Sequence, residues 1–421
     1  MTQVNPTIPL PLTLPRKKDP DPMSAHLGLN TELQLMMSLA RSHLRPEDIT
    51  RLHAWGPHIV DWQAFASRSS WHLIAPLCLY HLTGLDPAPW VDEAKHALRP
   101  VARALVVQGL EKALVQRRFV EEHLQPHNIP YLAIKGRALG CQFYPDPSLR
   151  PARDIDVWVE QRNKRAVIES AQAGGYVTDL SGRCLGDTEL LIHIDKRQNG
   201  IGLLDPNGVR VELDRHLDKA GLRFQFHDCL ERAQSVNIDG IRAPVLPIEE
   251  SFIYACLHHA RHGFLRLIWL ADLDAIQQSP EFDLGSVMQR ADALGLRSTV
   301  EACLGFYAAC KSDDPLAHAQ SDERAQDILK TCIAVWDLQH AKEVSEVKSS
   351  LTADFLYEWQ LDERDRKHRL MRWVQQQLWH LRPSLADYEL IPLPSVLYPA
   401  YWILRGPLLV ARRAFRRLRY S

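Results

Sequence analysis

Apolar residues recur at helical spacing from Thr31 to about Gln125, with Leu33, Leu35, Met36 and Leu39 in one stretch and Val101, Leu105, Val106, Leu110 and Leu114 in another. Runs of β-branched residues are scarce there, so residues 29–127 are expected to be helical. The period changes after Asn128-Ile129-Pro130. Tyr131-Leu132-Ala133-Ile134 reads as a short apolar strand broken by Lys135-Gly136, and Arg137 to Phe143 suits a helix. In Asp154-Ile155-Asp156-Val157-Trp158-Val159 the alternation is strict, which puts Ile155, Val157 and Val159 on one face of a strand and Asp154, Asp156 and Trp158 on the other. Arg162 to Gly174 reads as a helix ended by Gly174-Gly175. Further strands are expected at Tyr176 to Leu180, Glu189 to Ile194 and Val209 to Leu213. Together these predict an α+β fold with its mixed core at 128–246. From Pro247 onward, Glu249 to Gln277 has one long helical pattern, and helical sequence continues to about residue 382.

The two ends lack this order. Residues 1–28 are rich in Pro, Thr and Lys without periodicity and read as a disordered lead-in. From 383 to 421 the chain is apolar and interrupted by proline, then basic, with Arg405, Arg412, Arg413, Arg416, Arg417 and Arg419 among Leu, Val, Phe and Tyr. Residues 397–420 suit a terminal helix docked on the body with its arginines in water. They also suit an interfacial helix drawn to anionic lipid, a possible peripheral contact with the inner face of a membrane.

Composition narrows the class. A chain of 421 residues has room for two or three domains. With 50 Lys and Arg against 51 Asp and Glu, no chain-wide field favours nucleic acid. The eight cysteines, at 78, 141, 184, 229, 256, 303, 310 and 332, form no C-x-x-C pair, which argues against a zinc ribbon or a disulfide scaffold and for reduced thiols. Pro6, Pro9, Pro11 and Pro15 break the only apolar stretch near the N-terminus, and basic residues follow it, unlike a signal peptide. No run approaches the roughly 20 apolar residues of a spanning helix. A cytoplasmic location is expected.

Two carboxylates flanking one residue on a strand project from the same face, where they repel each other unless a cation lies between them. Hard oxygen ligands of this kind suit Mg²⁺, which takes one or two protein carboxylates and completes its octahedron with water and phosphate oxygens. Taken alone, D-x-D more often marks solvated acids at a strand end. The context favours the metal: Ile134-Lys135-Gly136 ends one strand and opens a helix, where backbone amides and the helix dipole can receive a phosphate. Val209-Arg210-Val211-Glu212-Leu213-Asp214 is a second alternating strand whose polar face carries Glu212 with Asp214 beside it.

The segments from Tyr131 to Leu139 and from Tyr144 to Val157, followed by Val211 to Leu217, by Leu257-His258-His259-Ala260-Arg261-His262-Gly263-Phe264 and by Leu267 to Leu273, resemble the uncharacterised nucleotidyltransferase family of the DNA polymerase β-like superfamily. The resemblance spans roughly residues 30–280, with separate motifs in the family's order. It implies a polymerase β-like core flanked by helical regions, and transfer of a nucleoside monophosphate from NTP to an acceptor that the sequence does not identify. It also implies Asp154, Asp156 and Glu212 as the catalytic metal ligands for Mg²⁺ or Mn²⁺, with ATP the expected NTP. By the same resemblance Lys135, Gly136, Arg137 and Arg150 contact the nucleotide. His262 and Asp272 border the cleft, as nucleotide or acceptor contacts or as a hydrogen bond that packs one domain on another. The turn departs from the superfamily's usual Gly-Ser or Gly-Gly, since Gly136 stands between Lys135 and Arg137. Asp214 stands where the family often has His, so Glu212 and Asp214 are both candidates for the third acid, and Glu212 is at the matched position. Lys135 and Arg150 suit an ordinary salt bridge equally well.

His258 and His262, four apart on a helix, lack the Glu of H-E-x-x-H and any cysteine placed to help, so a zinc site on them is not expected. Two other readings compete with the enzyme: a silent scaffold that keeps the fold, and a toxin or antiphage enzyme acting on tRNA. A scaffold has no need of three converging carboxylates, and only the basic tail hints at tRNA.

Overall fold

The structure, a computed structural model, describes residues 30–179, 200–214, 216–218, 223–319, 323–336, 374 and 385–407. The lead-in at 1–28, the strand expected at 189–194, most of the helical stretch beyond 336 and the arginines after Arg405 lie outside the described residues.

Five helices open the described chain: α1 (Thr31–Leu39), α2 (Pro46–Trp55), α3 (Trp62–Trp71), α4 (Ala75–Thr83) and α5 (Pro89–Phe119). Their starts follow local chemistry. Asn30 caps α1 by accepting from the Leu33 N–H at 2.7 Å, Asp61 caps α3 through the amides of Gln63 and Ala64, and α2, α4 and α5 carry proline in their first turn. Their apolar faces close on one another through Leu35, Met36, Leu39, Phe65, Leu77 and Leu98, all fully buried.

Among the described residues seven strands form one mixed sheet: β1 (Tyr131–Ile134), β2 (Ile155–Val159), β3 (Val177–Asp179), β4 (Gly200–Leu204), β5 (Arg210–Asp214), β6 (Gln234–Ile238) and β7 (Ile241–Val245), in the order β3-β4-β5-β2-β1-β7-β6. At its centre β2 runs antiparallel to β1 and parallel to β5. Helix α6 (Gly136–Phe143) links β1 to β2, α7 (Lys164–Ala173) follows β2, and the short α8 (Phe226–Glu231) precedes the β6-β7 hairpin. One face of the sheet, with Ile155, Val157, Val159, Val211 and Leu213, packs with Val167 and Ile168 of α7 and with Phe119 at the end of α5. The other face contributes Leu132, Ile134 and Trp158 to the core of the helical regions. The acidic positions of β2 and β5 therefore face those helices.

That second layer is α9 (Ile248–Arg261), α10 (Ile268–Gln277), α11 (Leu284–Leu294), α12 (Arg297–Lys311), α13 (Pro315–Ala319) and α14 (Glu323–Trp336). The single helix expected over 249–277 is two. After Arg261 the backbone turns through positive φ at Gly263 (+64°) and Phe264 (+45°), and helix resumes at Ile268. Strands β4, β6 and β7 were not expected from the sequence. The tail begins with α15 (Leu385–Leu390); Tyr388, Tyr398 and Tyr401 are buried in the core cluster on the α7 side of the sheet, and Arg405 pairs with the buried Asp387 at 2.6 Å. The described part of the tail is therefore docked, with Val396 and Ile403 exposed. Among the described residues no helix is long and apolar enough to cross a membrane.

Candidate metal centre

The parallel register of β2 and β5 sets Asp156 beside Glu212 and Trp158 beside Asp214, while the antiparallel register sets Ile134 of β1 beside Asp156. Alternation on each strand sends the apolar neighbours into the α7-side core and leaves the acids on the opposite face. Asp154, just before β2, completes the group. One carboxylate oxygen from each of Asp154, Asp156 and Glu212 lies within 4.8 Å of the others. Asp214 sits one side-chain step further along the same face.

Lys135 joins this cluster from the end of β1. The chain leaves the strand through two consecutive positive-φ residues, Lys135 (+55°) and Gly136 (+40°), and enters α6 directly. Glycine is required at the second: a Cβ there would stand 3.3 Å from the Ala152 Cβ, besides the unfavourable φ. The Lys135 ammonium lies 2.6 Å from Asp156 Oδ1 and 3.6 Å from Asp214 Oδ2. These two buried oxygens find no protein hydrogen bond beyond that ion-pair contact.

Burial, with the neighbouring acids adding to it, raises the pKa of Asp156, Glu212 and Asp214 above the ordinary carboxylate range despite Lys135. Burial works against the lysine's charge, yet Asp156, Asp214 and their neighbours outweigh it and hold its pKa well above the usual value. Four acids thus share one face, with Lys135 the cation in contact with the inner pair. The cluster's donors are all hard oxygens, and they fit a divalent cation of the Mg²⁺ type.

The other expected contacts separate into two groups. Gly136 and Lys135 are at the cluster. Arg137 and Arg150 line a cleft with Asp154, but each guanidinium is committed: Arg137 Nε donates to Asp239 at 2.7 Å, and Arg150 donates through Nε and Nη2 to the two oxygens of Asp272 at 3.0 and 2.8 Å. Asp272, fully buried on α10, also accepts from the Tyr144 hydroxyl at 2.8 Å, and His259 Nε2 stands 3.3 Å away. Burial would raise its pKa, but Arg150 and His259 hold it below the ordinary range. These hydrogen bonds tie α10 to the core. Arg150 is held in that salt bridge, as a buried guanidinium needs a charged partner. His262 closes α9, with its ring 4.7 Å from that of His258.

Sequence reasoning missed several neighbours. Tyr254, His258 and His259 of α9 line a small cavity with Lys135, and burial keeps both imidazoles neutral by lowering their pKa. Lys112 of α5 lines the cleft with Asp154, and burial lowers its pKa too. His258 and His259 stand within a segment already notable for its histidines. Lys112 has no local signal, being one cation of a long amphipathic helix.

A family model described as uncharacterised nucleotidyltransferase matches residues 58–310, which spans the helical approach, the sheet with all four acids, and the helices to α12. The chain belongs to the uncharacterised nucleotidyltransferase family. No curated protein matches it. The α+β architecture with its seven-stranded mixed sheet agrees with nucleotidyltransferase membership, and the acidic triad lies inside the matched region. Membership supports a transferase that acts on nucleotides.

Proposed function

We propose that this nucleotidyltransferase moves a nucleoside monophosphate from NTP, ATP in the first instance, to a hydroxyl group of an acceptor, with Asp154, Asp156 and Glu212 holding Mg²⁺. The observation that carries this reading is the convergence of three carboxylates from two strands within 4.8 Å. When bound, the cation would polarise the α-phosphate and offset the charge that builds on it. The protein's own part is to orient and neutralise. Glu212, at the open edge of the triad, is the carboxylate assigned to receive the acceptor's proton. The first amides of α6 and the Lys135 ammonium offer an electropositive entry for the phosphates. Lys112 serves that role on the α5 side of the cleft, since Arg137 and Arg150 are engaged elsewhere.

Binding confined to the folded state stabilises it by about 2.7 kcal/mol at a hundred times the Kd. Mg²⁺ with ATP should therefore raise the melting temperature, and Asp154→Asn with Asp156→Asn should remove the metal-dependent part. An undiminished shift in that double variant overturns the assignment. Incubation with labelled NTPs and Mg²⁺, alone and with cell extract, then identifies the acceptor: a labelled product formed by the wild type and not by the double variant is expected, and a scaffold would form none.

A further inference from the structure

Among the described residues Lys135 is the cation in ion-pair contact with Asp156 and Asp214, the two buried acids of the cluster. Of the other cations near these acids, Arg210 pairs with Asp179 and stands 3.9 Å from Glu212, the buried Lys164 ammonium donates to the Leu213 carbonyl at 2.8 Å, and Arg261 acts on Asp214 through its field. The oxygen that Lys135 approaches at 2.6 Å belongs to the central acid of the triad. A divalent ion on Asp156 and the ammonium would crowd two cations onto one carboxylate, and at low local dielectric that repulsion is large. The lysine is also placed to move. Its four-carbon stem is flexible, it caps α6 from a positive-φ backbone, and it borders the cavity lined by Tyr254, His258 and His259.

We propose that Lys135 is a resident counter-ion that makes divalent metal binding conditional on nucleotide. In the free protein its ammonium holds Asp156 and Asp214 together and resists the metal. With nucleotide present, a phosphate takes the ammonium and releases the carboxylate to the cation. Metal and nucleotide then bind with positive coupling, which is reciprocal. This inference rests on the metal-centre reading above.

Mn²⁺ titration of the full chain, followed by electron paramagnetic resonance with and without α,β-methylene-ATP and corrected for Mn²⁺ bound to the analogue in solution, tests it. In the wild type the analogue should raise Mn²⁺ affinity at least tenfold. Lys135→Met should bind Mn²⁺ alone at least tenfold more tightly than the wild type, and the coupling to the analogue should shrink below threefold. Lys135→Gln, neutral and nearly as long, should behave the same way, and far-ultraviolet circular dichroism identifies which of the two is folded. Lys135→Arg, which keeps the charge, should keep the weak binding of metal alone. Wild-type Mn²⁺ binding with no gain in either neutral variant overturns the role of Lys135 and leaves the metal centre standing. No Mn²⁺ binding by the wild type, even with the analogue, overturns both.

Discussion

Two groups of acids, one among the helices and one on the face of the sheet turned to them, are built on opposite terms. Among the described residues the buried acids of the helices are matched. Asp272 has the Arg150 fork and the Tyr144 hydroxyl; Asp274 accepts from the amide and hydroxyl of Ser42 and from Tyr307; Asp48 is surrounded by Arg41, Arg45 and Arg51. On the sheet side Asp154, Asp156, Glu212 and Asp214 crowd one face, with Lys135 as the cation that touches the inner pair. Matched acids fasten helices to the core, which is a structural use of charge. A group left short of cations costs stability and persists where something else supplies the charge.

The comparison breaks first at Asp272. Asp272→Ala leaves the Arg150 guanidinium buried and unpaired, and removing one partner of such a pair costs roughly 3–5 kcal/mol. Urea denaturation should show that loss, with or without Mg²⁺. A loss under about 1 kcal/mol would mean that the helical side tolerates an unmatched charge as readily as the sheet side.

The same kind of change in the other group should have the opposite sign. In EDTA, Asp154→Asn with Asp156→Asn removes two charges from a face where burial and neighbouring acids raise the pKa of Asp156 and Glu212. The double variant should therefore be more stable than the wild type under these conditions. Denaturation in EDTA measures it, and a double variant less stable than the wild type would show that these acids hold the fold together rather than wait for a cation.

Much of this contrast was legible in the chain. Strict alternation in Asp154 to Val159 and in Val209 to Asp214 placed all four acids on one face, because period two leaves no other arrangement. The partner of Arg150 was not legible, since Asp272 lies 122 residues away and only packing brings them together. Two local signals were present and passed over. Asp239-Gly240, with both residues at positive φ, is the turn of the β6-β7 hairpin, but Gln234, Ser235, Asn237, Arg242 and Pro244 dilute the strand pattern around it. Gly263 marks the break between α9 and α10, hidden because apolar spacing continues on both sides.

The smallest effect expected is one of pH, and it separates the two regions by sign. His72 is fully buried: Nδ1 accepts from the Leu267 N–H, and Nε2 faces the Trp336 carbonyl at 3.3 Å, which requires the neutral tautomer with its proton on Nε2. Burial lowers its pKa to about 3. The unfolded chain binds a proton near pH 6.5 that the folded chain refuses, so stability falls as pH drops below that value, by about 1.4 kcal/mol at pH 5.5 for this one group. His258 and His259, also lowered by burial, act in the same direction. The raised carboxyls of Asp156, Glu212 and Asp214 act oppositely, because the folded state holds their protons more tightly and gains stability on acidification. Measured in EDTA between pH 7.5 and 5.5, the wild type should therefore lose less stability than the Asp154→Asn, Asp156→Asn variant, which lacks part of that offset. Equal losses in the two proteins would mean that the sheet-side acids titrate as ordinary surface carboxylates, and the contrast between the two regions would then reduce to the salt bridges of the helical side.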